Sequence, residues 1–254
     1  MDLYSDRRER ILKYIKDCGQ ASLKELTELC PDVSDMTLRR DMAFLEEKGQ
    51  IIRTRGGAVA ASRAGVNSED LYSRRAVLHT HQKQEIAVKA LSLAQPSCAM
   101  YLDSGSTVLQ FVKALPDDNY YIITADPNIA LEAARRAKTT VTLVGGNLNH
   151  STLCASGVHS VNFVNGINID IAFMSASGFN IQTGFTSGAF SECELKAAVM
   201  EKARTRIMLM DSSKLAKRMP FTFARLSDID VLISDSGLDK EVAALAHNEK
   251  VQVL

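Results

Sequence analysis

Apolar and polar positions alternate along the first fifty residues with the period of helices. From Asp6 onward, Ile11, Tyr14, Ile15 and Cys18 fall on one face until Gly19 interrupts the run, which predicts a first helix. Ser22-x-x-Glu25 has the form of a capping box, in which the serine accepts from the Glu25 amide and the glutamate reaches back to the Ser22 amide. Leu23, Leu26 and Leu29 then give a second helix its buried face, and Pro31 ends the segment. Ser34 caps a third helix, whose Leu38, Met42 and Leu45 at i, i+4 and i+7 form a stripe that must pack on the first two; Gly49 closes it. In "IIRTRGGAVA" two β-prone runs flank Gly56-Gly57, the pattern of a small two-stranded wing.

Residues 61–82 carry no sustained period and read as a linker. Beyond it the pattern changes. A helix from Lys83 to Ala94 leads to strand "CAMYLD", a helix after "SGST", strand "YYIIT", helix "PNIALEAARRA" and strand "TVTLVGG". A short helix near Val158 to Val164 follows, then strand "DIAFMSAS", a helix from about Glu192, strands "RIMLMD" and "VLISD", and a helix from Lys240 to His247. Apolar, β-branched strands alternating with amphipathic helices predict a mostly parallel sheet covered on both faces. The expected fold is therefore α/β, with an N-terminal winged helix-turn-helix at 1–60, a linker at 61–82 and a larger sheet domain at 83–254.

Composition narrows the function. Thirty basic residues balance thirty acidic ones in 254, so no global field recruits nucleic acid and such a role must rest on a local patch. That patch exists between Met36 and Arg63, with six Lys or Arg against three Asp or Glu. Five scattered cysteines without C-x-x-C spacing indicate reduced thiols rather than disulfides or zinc. The charged start and the absence of an apolar run of about 18 residues predict neither a signal peptide nor a membrane span, hence a cytoplasmic protein. His79 and His81 lack a third ligand and read as part of a polar linker, so no metal and no cofactor is expected.

The candidate chemistry begins in "VSDMTLRRDMAFLEEKG". With the stripe of the third helix turned inward, Arg40, Met36 and Thr37 face the other way and Arg39 sits on a flank. Arginine suits a guanine edge or a phosphate because its planar fork makes two parallel hydrogen bonds. Arg53 and Arg55 share one side of the predicted wing strand, in reach of backbone phosphates or a minor groove. The competing reading makes Arg39 and Arg40 solvated charges paired with Asp41 and Glu46. The stretch "VSDMTLRRDMAFLEEKGQIIRTRGGAV" resembles the signature of the DeoR-type bacterial transcription regulators, with its serine, threonine, paired arginine and aspartate, late glycine and arginine-rich wing. That resemblance implies operator DNA read by a winged helix-turn-helix through Ser34, Met36, Thr37, Arg39, Arg40, Arg53 and Arg55. One departure is "CPDVS", a residue longer than the commonest turn before the serine.

In the sheet domain, Asp103 ends a strand and Ser104, Gly105, Ser106 and Thr107 open a helix, gathering amides and hydroxyls at a positive helix end that suits a phosphate. A plain strand-to-helix turn with a hydroxyl cap would read the same way. The spacing is neither a P-loop nor a dinucleotide turn. Other strand ends carry "TADPN", "VGGN", "SASGF" and "DSSK", and ligands of open α/β sheets bind at such ends. These stretches resemble the effector domain of the same family, related in fold to ribose-5-phosphate isomerase and glucosamine-6-phosphate deaminase. The resemblance implies a phosphate-side loop at Asp103 to Thr107, paired glycines at Gly145 and Gly146, acidic and basic positions at Glu192, Glu194 and Lys196, and a lysine at Lys214. Asp126 stands where that family usually has asparagine, pointing to a changed effector. The function implied is a repressor of carbohydrate uptake or catabolism genes, controlled by a phosphorylated sugar and acting as a homo-oligomer. The alternative is a sugar-phosphate isomerase or deaminase with an appended DNA-binding domain. The loop after "DIAFMSAS" offers no acid, which disfavours catalysis.

Overall fold

The structure is a computed structural model that describes residues 3–18, 20–48, 50–54, 56–60 and 72–254. The chain forms two compact units, residues 1–68 and 69–254.

The first unit holds α1 (Leu3–Cys18), β1 (Gln20–Ser22), α2 (Leu23–Leu29), α3 (Asp35–Glu47), β2 (Ile51–Thr54) and β3 (Gly57–Ala60). The predicted capping box forms, with Glu25 N donating to Ser22 Oγ at 3.2 Å and Ser22 N to Glu25 Oε2 at 2.6 Å. Ile11, Ile15, Leu26, Leu38, Met42, Leu45 and Ile51 make the core. The wing has a third strand that periodicity does not reveal: β1 pairs antiparallel with β3, which also pairs with β2. Gly57 permits this pairing, because a Cβ there would lie 2.0 Å from the Ala21 carbonyl oxygen.

A buried carboxylate also joins α3 to α1. Asp41, on the inner side of α3 and fully buried, accepts from Arg7 Nε at 2.6 Å and Arg8 Nε at 2.8 Å, both on α1. Burial works against the carboxylate, but hydrogen bonds and charge from the two arginines outweigh it and hold its pKa below the usual value. Arg8 also lies over the Phe44 ring at 3.9 Å.

The second unit opens with α4 (Tyr72–Val77) and α5 (Thr80–Ala90), so the described part of the stretch expected to be linker is helical. The following elements are β4 (Ala99–Leu102), α6 (Ser106–Ala114), β5 (Tyr121–Thr124), α7 (Pro127–Ala133), β6 (Thr140–Leu143), β7 (Asn147–Leu148), β8 (Ala155–Ser156), α8 (Val158–Asn165) and β9 (Ile169–Ser175). Then come β10 (Gly178–Asn180), β11 (Gly184–Ser187), α9 (Phe190–Lys202), β12 (Ala203–Leu209), β13 (Phe221–Ala224), β14 (Val231–Ile233), α10 (Lys240–Asn248) and β15 (Gln252–Val253). Seven strands form one parallel sheet in the order β15-β14-β12-β9-β4-β5-β6.

Alternation along the strands divides the core. Met100, Leu102, Ile171, Phe173, Ile207 and Leu209 face α5, α6 and α7, whereas Tyr101, Ala172, Met174 and Met208 face α8, α9 and α10. The chain steps outward from β4 to β6 and then returns to β9 on the opposite side of β4. This reversal places a crevice at the carboxyl ends of β4 and β9. The antiparallel sheet β10-β11-β13 is an addition that the sequence patterns do not predict. Among the described residues no helix is long and apolar enough to cross a membrane.

Candidate functional site

In the first unit, Ser34 caps α3 by accepting from Thr37 N at 3.4 Å, and its hydroxyl lies 3.1 Å from the Thr37 hydroxyl. Ser34 and Thr37 thus organise the first turn, which carries Met36 outward at 75% exposure. Arg39 and Arg40 are exposed on the next turn. The partners that a purely solvated reading would give them are taken: Asp41 by Arg7 and Arg8, and Glu46 by Arg53, at 3.0 Å and through the Arg53 backbone amide at 2.8 Å. Among the described residues neither Arg39 nor Arg40 forms an ion pair or hydrogen bond. Arg53 differs from expectation, since it ties β2 to α3, though it is exposed enough to exchange its partner. Arg55 lies outside the described residues.

In the second unit, Asp103 and Ser175 meet at the crevice. Asp103, 1% exposed, accepts from Ser175 N at 2.8 Å, Ser175 Oγ at 3.2 Å and the ammonium of Lys196. Lys196 reaches in from α9, is itself buried, and donates to the Ser175 carbonyl at 3.1 Å. Burial disfavours its charge, but the Asp103 carboxylate outweighs that and the lysine pKa ends above its ordinary value. Glu192, one turn earlier on the same buried face, accepts from Asn149 Nδ2 at 3.2 Å and from the Thr152 hydroxyl. Glu194, also in the expected set, is exposed on the other face of α9, because two residues along a helix turn a side chain away from Glu192 and Lys196.

The helix after Asp103 has no hydroxyl cap. Gly105 is the N-cap of α6, at φ 141°, and among the described residues no side chain bonds the first-turn amides. Among the described residues the hydroxyls of Ser106 and Thr107 have no hydrogen-bond partner. Ser104 contributes its carbonyl, which accepts from Ser175 Oγ at 2.6 Å. Asp126 closes the neighbouring turn: its carboxylate accepts from Asn128 N at 2.8 Å, Ile129 N at 3.4 Å and Gly105 N at 3.4 Å. Burial raises its pKa against those amides.

Gly145 and Gly146 follow β6 and are exposed; Ser160 Oγ donates to the Gly145 carbonyl at 2.6 Å. Lys214 lies in a single 3-10 turn after β12 and is half-buried. Near it, Lys83 of α5 is 2% exposed and donates to the carbonyls of Leu78, at 2.5 Å, and Arg75. Burial pulls the Lys83 pKa down to about 8; Asp211 resists that, while Lys214 and Arg75 add to it. Cations therefore gather beside the carboxyl end of β12. Glu192, among the positions the resemblance implied, shares the i, i+4 face of Lys196, whereas Lys83 is an addition to the expected set. No spacing in the sequence marks Lys83, whose partners are backbone carbonyls of the preceding turn.

The family model of the DeoR C terminal sensor domain matches residues 78–236, and that of the DeoR-like helix-turn-helix domain matches residues 7–64. The chain belongs to the DeoR family of transcriptional regulators. It is 32% identical over 94% of its length to an uncharacterized HTH-type transcriptional regulator of Haemophilus influenzae, of which 93% is covered. It is 29% identical over 94% of its length to the HTH-type transcriptional regulator GlpR of Haloferax volcanii, with 92% of that protein covered. Among solved structures, ribose 5-phosphate isomerase A of Methanocaldococcus jannaschii is 19% identical, with a TM-score of 0.39 over 54% of each chain. As a DeoR-family member the chain is a DNA-binding transcriptional regulator and not an enzyme.

Gly105 tests the loop of the sensor domain. A Cβ there would lie 2.9 Å from Ser175 Oγ in a backbone conformation that side chains avoid. Gly105→Val is expected to abolish the effector response while DNA affinity stays within about twofold of wild type, because the two functions occupy separate units. Titration of both ligands by fluorescence anisotropy checks this; a wild-type effector response would remove the loop from the site.

Proposed function

We propose that the protein is a cytoplasmic repressor of carbohydrate uptake or catabolism genes, which reads operator DNA through α3 and the wing and is released or engaged by a phosphorylated sugar. The division of labour follows the two units, residues 1–60 reading DNA and the domain beyond the connecting stretch binding effector. The observation that carries the reading is the outward pair Arg39 and Arg40, whose acidic neighbours are occupied by other arginines. A helix whose inner face is fixed and whose outer arginines stand uncommitted fits a major groove. The uncapped N-terminus of α6 supports the effector half: orphan amides, two hydroxyls and a helix dipole favour an anion. The charged crevice of Asp103, Glu192, Lys196 and Asp126 supports recognition of sugar hydroxyls beside it. A homo-oligomer would let the effector act by changing the spacing of paired DNA-binding units.

Arg40→Ala is expected to reduce discrimination between operator and random DNA by about 1 to 3 kcal/mol. Arg53→Ala should weaken both kinds of DNA alike, by removing a phosphate contact and loosening the wing. DNA selected from a random pool by the purified protein supplies the operator, and salt-controlled binding curves give both numbers. Equal losses on the two DNAs for Arg40→Ala would defeat the base-reading role. Thermal-shift screening with ribose 5-phosphate, glucosamine 6-phosphate, fructose 6-phosphate and inorganic phosphate tests the effector half.

A further inference from the structure

Helix α4 precedes the segment matched by the sensor-domain model, which begins at residue 78. It nevertheless belongs to the second unit, joined there by Tyr72 N donating to Ser151 O at 2.8 Å and by the Lys83 ammonium on the Arg75 carbonyl. Tyr72 is 8% exposed, and its phenolic hydroxyl is wholly buried without a hydrogen-bond partner among the described residues. Such an orphan costs stability, because a hydroxyl removed from water without a replacement bond carries its full desolvation penalty. An apolar residue would fill the same space without that cost.

The surroundings locate Tyr72. Helix α4 packs against α6, and the loop that takes the Tyr72 amide at Ser151 also supplies Asn149 and Thr152 to Glu192, so Tyr72 borders the crevice. Burial raises its phenol pKa and the charge of Asp126 adds to that. The Arg75 guanidinium stands 5.8 Å from the Tyr72 ring centre, and its charge is also felt by Lys83, beside Lys214 and Asp211. One short helix, packed on α6, thus carries a buried phenol with a guanidinium beside its ring.

Resting on the effector reading above, we propose that α4 is part of the effector site: the Tyr72 hydroxyl donates to an oxygen of the bound sugar phosphate, so that occupancy fixes α4. The ligand class follows from the chemistry. A phenol beside a buried carboxylate and orphan helix amides completes a site for a polyol carrying an anion, with the sugar oxygens at Asp126 and Tyr72 and the phosphate at the amides. The regulatory consequence is that α4 directly follows residues 61–71, the stretch leading from the DNA-binding unit. A bond made by α4 only in the liganded state couples occupancy to that stretch.

The experiment compares full-length wild type and Tyr72→Phe, with the sugar-phosphate panel and inorganic phosphate as probes. Tyr72→Phe should melt at or above the wild-type temperature without ligand, because it deletes an unpaired polar atom. It should need roughly five- to tenfold more of the responding sugar phosphate for half-maximal effect, the loss of one neutral hydrogen bond. Hydrogen exchange of wild type should show amides of residues 72–78 slowed by that sugar phosphate. An unchanged midpoint in Tyr72→Phe, or exchange in 72–78 indifferent to ligand, overturns the role of α4 and leaves the crevice reading intact. A Tyr72→Phe chain that melts lower by the same amount with and without ligand marks a structural tyrosine and also overturns it. If wild type responds to none of the probes, the effector reading itself fails and this inference fails with it.

Discussion

Replacing Asp103 with alanine is expected to lower the unfolding free energy of the sensor domain by about 3 to 5 kcal/mol, because it leaves the Lys196 charge buried without its partner. The side chains of Asp103 and Lys196 are 2% and 5% exposed, so water cannot take over the ammonium. The Ser175 amide and hydroxyl lose their acceptor in the same step. Asp103→Asn should fall between the two, since an amide oxygen can still accept from Ser175 but brings no compensating charge. The effector response should vanish in both, as β4 and β9 lose the contact that shapes their carboxyl ends. Calorimetry of the full chain, with the two units followed as separate transitions, gives the number. A loss under about 1 kcal/mol for Asp103→Ala would mean that the pair is solvated in solution, and would end its assignment as the pivot of the crevice.

The second large effect belongs to Asp41. Asp41→Ala should destabilise the winged helix by about 3 kcal/mol, the lower end of the range for breaking a buried ionic group, because Arg7 and Arg8 are 15% and 25% exposed and can partly rehydrate. DNA binding should fall on every sequence together, since α3 is no longer held at its angle to α1. The acid limb follows from the lowered carboxyl pKa. The stabilisation is fully present above the ordinary aspartate value near 4 and is lost as pH falls through the depressed native value. Wild type should therefore lose stability in that acid range through this group, while Asp41→Asn lacks this share of the slope. Melting curves of both proteins from neutral to acid pH decide it; parallel curves would show that the arginines do not sense the carboxylate.

Much of this architecture was legible because it repeats locally. The Leu38, Met42 and Leu45 stripe and the Ser22 to Glu25 box are relations within one or two turns, and both are present as read. Strands β4, β5, β9 and β12 announced themselves as apolar runs, since a parallel sheet buried on both faces needs them. What escaped was short or non-local. Strand β1 has three residues and no alternation, and α4 has too few turns for a period. Asp103 and Lys196 are joined across 93 positions, which no spacing rule connects. The same limit explains Asp41: adjacent to two arginines in sequence, it pairs with two others on α1, because its side chain points into the unit while Arg39 and Arg40 point out.

The last strand of the parallel sheet has a consequence for how the protein comes into being. β15 pairs with β14 through Gln252 and Val253, and the Leu254 carbonyl accepts from Ser234 N at 3.1 Å. The large sheet therefore gains its final strand only when residues 252–254 have left the ribosome. Among the described residues, the three strands and the core of the winged helix lie within residues 3–60. Domains fold as units in the order of their synthesis, and long-range parallel pairing is slow. A nascent chain thus presents a finished DNA reader before its sensor exists, and for that interval its hold on DNA is beyond the reach of any sugar.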